Sequence, residues 1–346
     1  MKRPLRTLFY GLKHEHSAGK LLTLSKMRDD FEIVAVADDR ARATPSYRAD
    51  PLPLDGLKIV GEDEALAMKD IDAVFVEVAN NDLMEIARVY AGRGVPMHCD
   101  KPCGETMGPY REVVETCRAK GVPMQMGYMF RANPGVRFVH RAVREGWLGN
   151  VVSVEADMNH DYGDDSYQRY VGTFRGGILY NLGCHLVDLV LPMMEGDMVR
   201  AHNVTGVAKG DGPECLNRCA ALLEWPSATV FLRACSRVPD GLPRRRLRVD
   251  GTKGVIDLSP IERFDGVSLT LDMTLASPAG GYAAGRHVVD LGVQTDRYMD
   301  QLREFAEILR GERENPSWLY DHDLKVHETT LEACGYDRQE HNNPRG

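Results

Sequence analysis

Three places in this 346-residue chain bring together residue types able to move protons or hold anions. The first is Asp100-Lys101-Pro102, directly after the apolar run Val95-Pro96-Met97-His98-Cys99. A lysine in a turn is ordinarily a surface residue. At a strand end, stiffened by the following proline, its ammonium can instead hydrogen-bond a substrate oxygen and stabilise negative charge developing there. The second is Gly176-Gly177-Ile178-Leu179-Tyr180-Asn181-Leu182-Gly183-Cys184-His185-Leu186-Val187-Asp188. Imidazole titrates near neutral pH, so His185 can accept and return a hydroxyl proton; a satisfied core histidine is the other reading. Asp188, one turn further on, can orient that ring or favour the helix N-terminus. The third is the turn Tyr10-Gly11-Leu12-Lys13-His14-Glu15-His16-Ser17-Ala18-Gly19. A dinucleotide-binding turn uses glycines so that backbone N–H groups approach a pyrophosphate at a helix N-terminus, and here only Gly11 fits G-x-G-x-x-G. His14 and His16 are either donors to phosphate or substrate, or surface residues. Two histidines at i, i+2 with no third ligand nearby in the chain do not read as a metal site.

Residues of this kind need a rigid frame, and the periodicity supplies two. From residue 5 to 126, short β-rich runs (Leu5–Tyr10, Glu32–Ala37, Ala73–Val78, Pro96–Cys99, Val122–Met126) alternate with amphipathic stretches such as Leu83–Gly92 and Tyr110–Ala119. Uninterrupted apolar strands between helices predict a parallel sheet covered on both faces, hence a doubly wound α/β Rossmann domain over 1–126. After residue 126 a helix over Pro134–Glu145 leads into Val151–Met158, which alternates as a half-exposed strand does. The stretch Gly183–Met194 is apolar on nearly every face and predicts a buried helix. Residues 199–275 predict a meander of antiparallel strands, and Arg297–Arg310 and Asp321–Ala333 predict two closing helices. The second domain, 127–336, is therefore α+β, with a polar tail over 337–346.

The end of the second strand, Val34-Ala35-Val36-Ala37-Asp38-Asp39, places carboxylates somewhat more than twenty residues after the turn. An acid there accepts hydrogen bonds from ribose hydroxyls and repels a 2′-phosphate, which favours NAD over NADP. A plain strand-end aspartate is the bland alternative.

Composition narrows the class further. A formal charge of −8 gives no nucleic-acid surface. No apolar run approaches the ~18–20 residues that cross a bilayer, and eight scattered cysteines without metal or redox spacing read as free thiols of a cytoplasmic protein. The basic run Arg244-Arg245-Arg246 with Arg248 reads as the solvated face of a strand.

Taken in order, Asp100-Lys101-Pro102, Gly127-Tyr128-Met129-Phe130-Arg131-Ala132-Asn133-Pro134, Gly146-Trp147-Leu148-Gly149 and the Gly176–Asp188 segment resemble the glucose–fructose oxidoreductase, inositol dehydrogenase and MocA family (Gfo/Idh/MocA) across residues 5 to about 336. The resemblance implies a Rossmann domain followed by a large, open, mainly antiparallel sheet through which homodimers or homotetramers assemble. It implies hydride transfer between a carbohydrate-like hydroxyl carbon and nicotinamide. Lys101 then polarises the substrate oxygen and His185 exchanges its proton. Asp100 stands where that family has glutamate, and reaches the cofactor's ribose or amide. Asn80, in the turn after the third strand, joins Gly11, His16, Asp38, Asp39, Asp100 and Lys101 as a cofactor contact. Asn181 stands where the family has an aspartate; an amide orients a hydroxyl but takes no proton. Tyr128 and Arg131 approach nicotinamide or substrate, or anchor a helix. Tyr162 and Arg169, in an aromatic and polar loop, are set to stack on and hydrogen-bond a sugar. Two other functions stay open: a glycoside-cleaving or epimerising enzyme that recycles bound NAD, and a degenerate cofactor-binding regulatory protein.

Overall fold

The computed structural model describes residues 2–48, 50–161, 164–315 and 318–336, so Tyr162 lies outside the described residues. The chain forms two compact units. The first holds the residues up to Tyr128 together with Tyr298–Glu328; the second holds Met129–Arg297 and the segment from Thr329. The closing helices thus divide differently from the 127–336 domain expected from the order of elements. The physical reason lies in α9 (Met299–Leu309): Phe305 packs edge-on against Phe75, and the Gln301 side chain donates to the Met126 carbonyl at 2.8 Å.

In the first unit, β1 (Leu5–Tyr10), β2 (Phe31–Ala37), β3 (Ile59–Val60), β4 (Ala73–Val76), β5 (Met97–Cys99) and β6 (Met124–Met126) form one parallel sheet in the order β3-β2-β1-β4-β5-β6. Helices α1 (Ser17–Lys26), α2 (Glu62–Ala67), α3 (Leu83–Arg93) and α4 (Met107–Lys120) connect the strands. All four residues of β4 are buried, as a strand covered on both faces requires. The strand order reverses between β1 and β4, so the crevice at their carboxyl ends is the topological switch point of a doubly wound fold. The two-residue strand β3 is absent from the sequence expectation because two residues carry no period.

In the second unit, α5 (Pro134–Arg144) leads into β7 (Val151–Asn159), followed by α6 (Asp165–Val171), α7 (Gly177–Asn181) and α8 (Gly183–Val190). Then come β8 (Arg200–Gly206), β9 (Arg218–Glu224), β10 (Thr229–Cys235), β11 (Arg246–Gly251), β12 (Gly254–Leu258), β13 (Ser268–Leu275) and β14 (Gly285–Val293). The chain's last helix is α10 (Trp318–Ala333). The eight strands form a sheet in the order β14-β13-β12-β11-β7-β10-β9-β8. The predicted meander is present, but β10 joins β7 in parallel at its centre. That pairing needs the long crossover that α6, α7 and α8 supply. All eight residues of α8 are buried, which fits its apolar circumference.

The basic run departs from its reading at one position. Arg246 and Arg248 do sit half-exposed beside Asp257 and Asp250. Arg245 is buried instead, its guanidinium held by Glu262, His160 and the Asn159 carbonyl. An alternating strand sends neighbours to opposite faces, and the inward one must bring a carboxylate with it.

Candidate functional site

The carboxyl ends of β1, β4 and β5 gather an unusual set of titratable groups. Lys20 lies on the buried stripe of α1, where Ser17, Leu21 and Leu24 also point inward, and its side chain is fully buried. Its three N–H donors find three partners: Glu77 Oε1 at 2.6 Å, Asp100 Oδ2 at 2.6 Å and His98 Nε2 at 2.7 Å. A nitrogen that accepts from an ammonium carries no proton, so His98 is the Nδ1–H tautomer, which then donates to Gln125 Oε1 at 2.8 Å. The same logic fixes His14. Its Nδ1 accepts the His16 backbone N–H at 3.1 Å, and its Nε2–H donates to the Lys101 carbonyl, also at 3.1 Å. Burial depresses both rings, His14 to about 4 and His98 to about 3, so both are neutral near pH 7.

The two carboxyls on Lys20 do not share its charge equally. Asp100 accepts from Lys20, from His16 Nδ1 at 3.0 Å and from the Lys101 backbone N–H at 2.7 Å. Burial opposes its charge, but the Lys20 ammonium and the His16 hydrogen bond hold it well below the usual carboxylate range. Glu77 is pushed well above that range by burial and by the adjacent Asp100 charge, and its Oε2 has no hydrogen-bond partner. We therefore assign the anion to Asp100 and a retained proton to Glu77. His14, His16 and Asp100 do bring three donor atoms within 4.8 Å of one another, a third ligand that chain spacing hid because Asp100 arrives from β5. The Lys20 ammonium, bound to the same Asp100 oxygen, already supplies the cation there.

The expected cofactor contacts take these places. Gly11 has φ +106°, and a Cβ there would meet the Val78 nitrogen at 2.5 Å, so the turn packs directly on the chain leaving β4. Asp39 is buried and accepts the Leu12 N–H at 2.7 Å; burial raises its pKa to about 6. Asp38 stands at the end of β2 in a two-pronged pair with Arg40, 2.8 and 2.6 Å. Asn80 donates to the Lys101 carbonyl at 3.2 Å. The Lys101 side chain is fully buried and pairs with Glu15 Oε1 at 3.0 Å. Tyr128 is buried at the end of the unit.

Strand order, the Gly11 close approach, a ten-residue helix starting beside the switch point and an acid at the β2 end all fit a bound dinucleotide. The phosphate end departs from the usual pattern. Lys13 and His16 fill the second and third glycine places. Lys13 donates to the Arg42 and Thr44 carbonyls, each at 2.6 Å. The amides of Leu12, His14, His16 and Ser17 are spent within the unit, on Asp39, the Glu77 carbonyl, His14 Nδ1 and the His14 carbonyl.

In the second unit, Asn181 ends α7, fully buried, and its Oδ1 accepts the Tyr167 hydroxyl at 3.2 Å. His185 lies in the first turn of α8, 2% exposed, edge-on to Phe130 with ring centroids 5.3 Å apart. Asp188, offered above as its orienting group, is clamped by Arg131 at 2.9 and 2.6 Å. Arg131 therefore anchors α8. Arg169 is exposed on α6, while Tyr167 and Tyr170 of that helix turn inward. Of the residues that sequence reasoning missed, Lys20, Glu77, His98 and Glu15, the first two carried a signal. A lysine sat on an apolar helical stripe, and a glutamate interrupted the run Val76-Glu77-Val78.

A parallel sheet ordered β3-β2-β1-β4-β5-β6 is the doubly wound, dinucleotide-binding type, and the second sheet is open and mainly antiparallel. Residues 136–257 match the GFO/IDH/MocA C-terminal domain. D-apiose dehydrogenase of Paraburkholderia graminis is 26% identical over 251 residues, 68% of this chain and 63% of that protein, so the match spans a little under two thirds of the relative. D-xylose 1-dehydrogenase (NADP(+)) 2 of Haloferax volcanii is 27% identical over 283 residues, 80% of this chain and 81% of that one. An oxidoreductase from Agrobacterium radiobacter, solved in complex with NAD+, L-tartaric acid and magnesium, superposes with a TM-score of 0.74 at 16% identity, over 99% of this chain and 97% of that one. Over residues 136–257 the chain is thus similar to the C-terminal domain of the Gfo/Idh/MocA family, and the relatives named are similar to it at 26–27% identity. No helix among the described residues is long and apolar enough to cross a membrane, and all eight cysteines are free.

Proposed function

We propose that this protein is a nicotinamide-dinucleotide-dependent oxidoreductase acting on a hydroxyl carbon of a sugar, polyol or glycoside. The observation that carries the reading is the buried ammonium of Lys101 at the carboxyl end of β5, beside the switch point of a dinucleotide-type sheet. The bound cofactor supplies the hydride acceptor, or in reverse the donor. Lys101 hydrogen-bonds the reacting oxygen and stabilises its developing charge. His185 takes the hydroxyl proton on oxidation and returns it on reduction. Asn181 orients a neighbouring hydroxyl with Tyr167. The likeness to named sugar dehydrogenases supports this substrate class. Lys101→Ala and His185→Ala are expected to lower kcat by roughly 10²–10⁴-fold each, with dinucleotide affinity retained. Wild-type rates in either variant, across a panel of sugars followed by reduced-nicotinamide absorbance, would overturn the assignment.

Asp38 supports NAD as the preferred form, since its carboxylate accepts ribose hydroxyls. The open face of the second sheet supports a homo-oligomer. His202, Leu222, Phe231, Glu155, Arg248, Asp257, Asp272 and Val288 lie in one row across it, with Phe231 and Val288 among its exposed large apolar side chains. A self-complementary face of this kind suits a two-fold interface. Light scattering on Phe231→Asp is expected to show a smaller species than wild type; equal masses would remove the proposal.

A further inference from the structure

The triplet His14-Glu15-His16 occupies the turn in which glycines were expected, and dinucleotide binding alone gives it no task. Its contacts converge on one neighbouring segment. His14 Nε2–H and Asn80 Nδ2–H both donate to the Lys101 carbonyl, while Asp100 Oδ1 accepts the Lys101 N–H. His16 braces that aspartate, with its ring 5.7 Å from the ring of Tyr298. The main chain at Lys101 is therefore gripped on both its donor and its acceptor side. Glu15, with 11% of its side chain exposed, then takes the ammonium itself at 3.0 Å. A buried ammonium without an anion is costly.

We propose that the turn His14-Glu15-His16 is a positioning device for Lys101, with Glu15 as the carboxylate that holds the ammonium charged and aimed. The inference rests on the role given to Lys101 above. The groups facing Glu15 are Lys101, His16 and His14, with Asp100 and Lys20 behind them. Burial is the largest influence and opposes the Glu15 charge, but Lys101, His16 and His14 together outweigh it, so that its carboxyl lies below the usual glutamate range. No atoms are exchanged in this role: one N–H of the ammonium stays on Glu15.

The test uses Glu15→Gln, Glu15→Asp and Glu15→Ala in the full chain. Loss of the carboxylate is expected to move the titration midpoint of the Lys101 13Cε resonance, assigned with Lys101→Arg, to lower pH by about 1–2 units. The alkaline limb of kcat should move with it, and kcat in Glu15→Gln should fall roughly tenfold, while KM for the sugar changes little. Glu15→Asp should restore most of the rate. An unmoved Lys101 resonance together with a wild-type pH profile overturns the proposal. If wild-type protein oxidises or reduces no sugar in the panel, the reading of its activity fails, and the resonance alone still decides whether Glu15 holds Lys101.

Discussion

Replacing Lys20 by methionine removes one charge and leaves a side chain of similar length, which makes it a clean probe of the buried cluster. Lys20 is fully buried, and its ammonium makes contacts of 2.6, 2.6 and 2.7 Å. Methionine offers no donor, so Asp100 becomes a buried anion without its ammonium, and His98 Nε2 loses its donor. Breaking a buried pair on one side costs about 3–5 kcal/mol. Glu77 lessens the loss, because it already keeps its proton and needs no counter-charge. The lower half of that range, about 3–4 kcal/mol, is the expected cost. At about 2–4 °C per kcal/mol for a unit of this size, the Tm should fall by about 6–16 °C. Thermal unfolding followed by circular dichroism measures this. Lys20→Met with Asp100→Asn should recover part of the loss, because the second change removes the stranded charge. A Lys20→Met protein melting within about 2 °C of wild type would refute the assignment of a charged Lys20–Asp100 pair.

Two linked pH effects of opposite sign follow from the same unit. His98 is depressed to about 3 by burial, so its contribution is present above the unfolded value near 6.5 and is lost as pH falls. The stability advantage of wild type over His98→Gln should therefore narrow by about 2 kcal/mol between pH 7 and pH 5 in urea titrations; a constant gap would count against a neutral buried ring. Asp39 is raised to about 6 by burial, so its contribution is present in acid and is lost as pH rises through about 6. The advantage of wild type over Asp39→Asn should shrink between pH 4 and pH 6, and growth over that interval would contradict the assignment. For cofactor choice, Arg40→Ala should weaken NADP use more than NAD use, since an arginine near the β2 end is the group that meets a 2′-phosphate. Equal losses in kcat/KM for both dinucleotides would show that Arg40 does no more than pair with Asp38.

The sheets were legible because their strands are apolar runs or alternations. β4 is buried throughout, and β10 alternates in and out along its length. The edge strand β14 was not, because one residue in nine is buried and no period survives. His185, Asn181 and Lys101 stood out because each sits in a compact motif. The partners of Lys101 and Asp100 did not, for a geometric reason. Lys20 meets Glu77 across 57 positions and Asp100 across 80, and His16 meets Asp100 across 84. Local periodicity places each residue on a helix or strand but says nothing about which strand lies beside it. Only the order β1-β4-β5 makes these positions neighbours. Asp100 shows the same dependence on packing. Its Oδ1 would lie 2.6 Å from a Cβ at position 127, so Gly127 is required by a side chain 27 positions earlier.

The charges around the turn also separate a positioning role for Glu15 from a passive one. Lys20 and Lys101 carry positive charge; Asp100 and Glu15 balance it, with Glu77 neutral. Several turn amides that would hold a phosphate are already engaged, so the field at the turn matters more than usual for an anion arriving there. Glu15 is the carboxylate carried by the turn itself. Removing its charge takes a negative group off the turn and should tighten dinucleotide binding. The same removal frees the ammonium to wander from the reacting oxygen and should slow turnover. A folding defect weakens both, and a solvated carboxylate with no task changes neither. Tighter binding with slower turnover in Glu15→Gln, measured by cofactor fluorescence and by initial rates on one preparation, is thus a signature that only a carboxylate holding Lys101 produces.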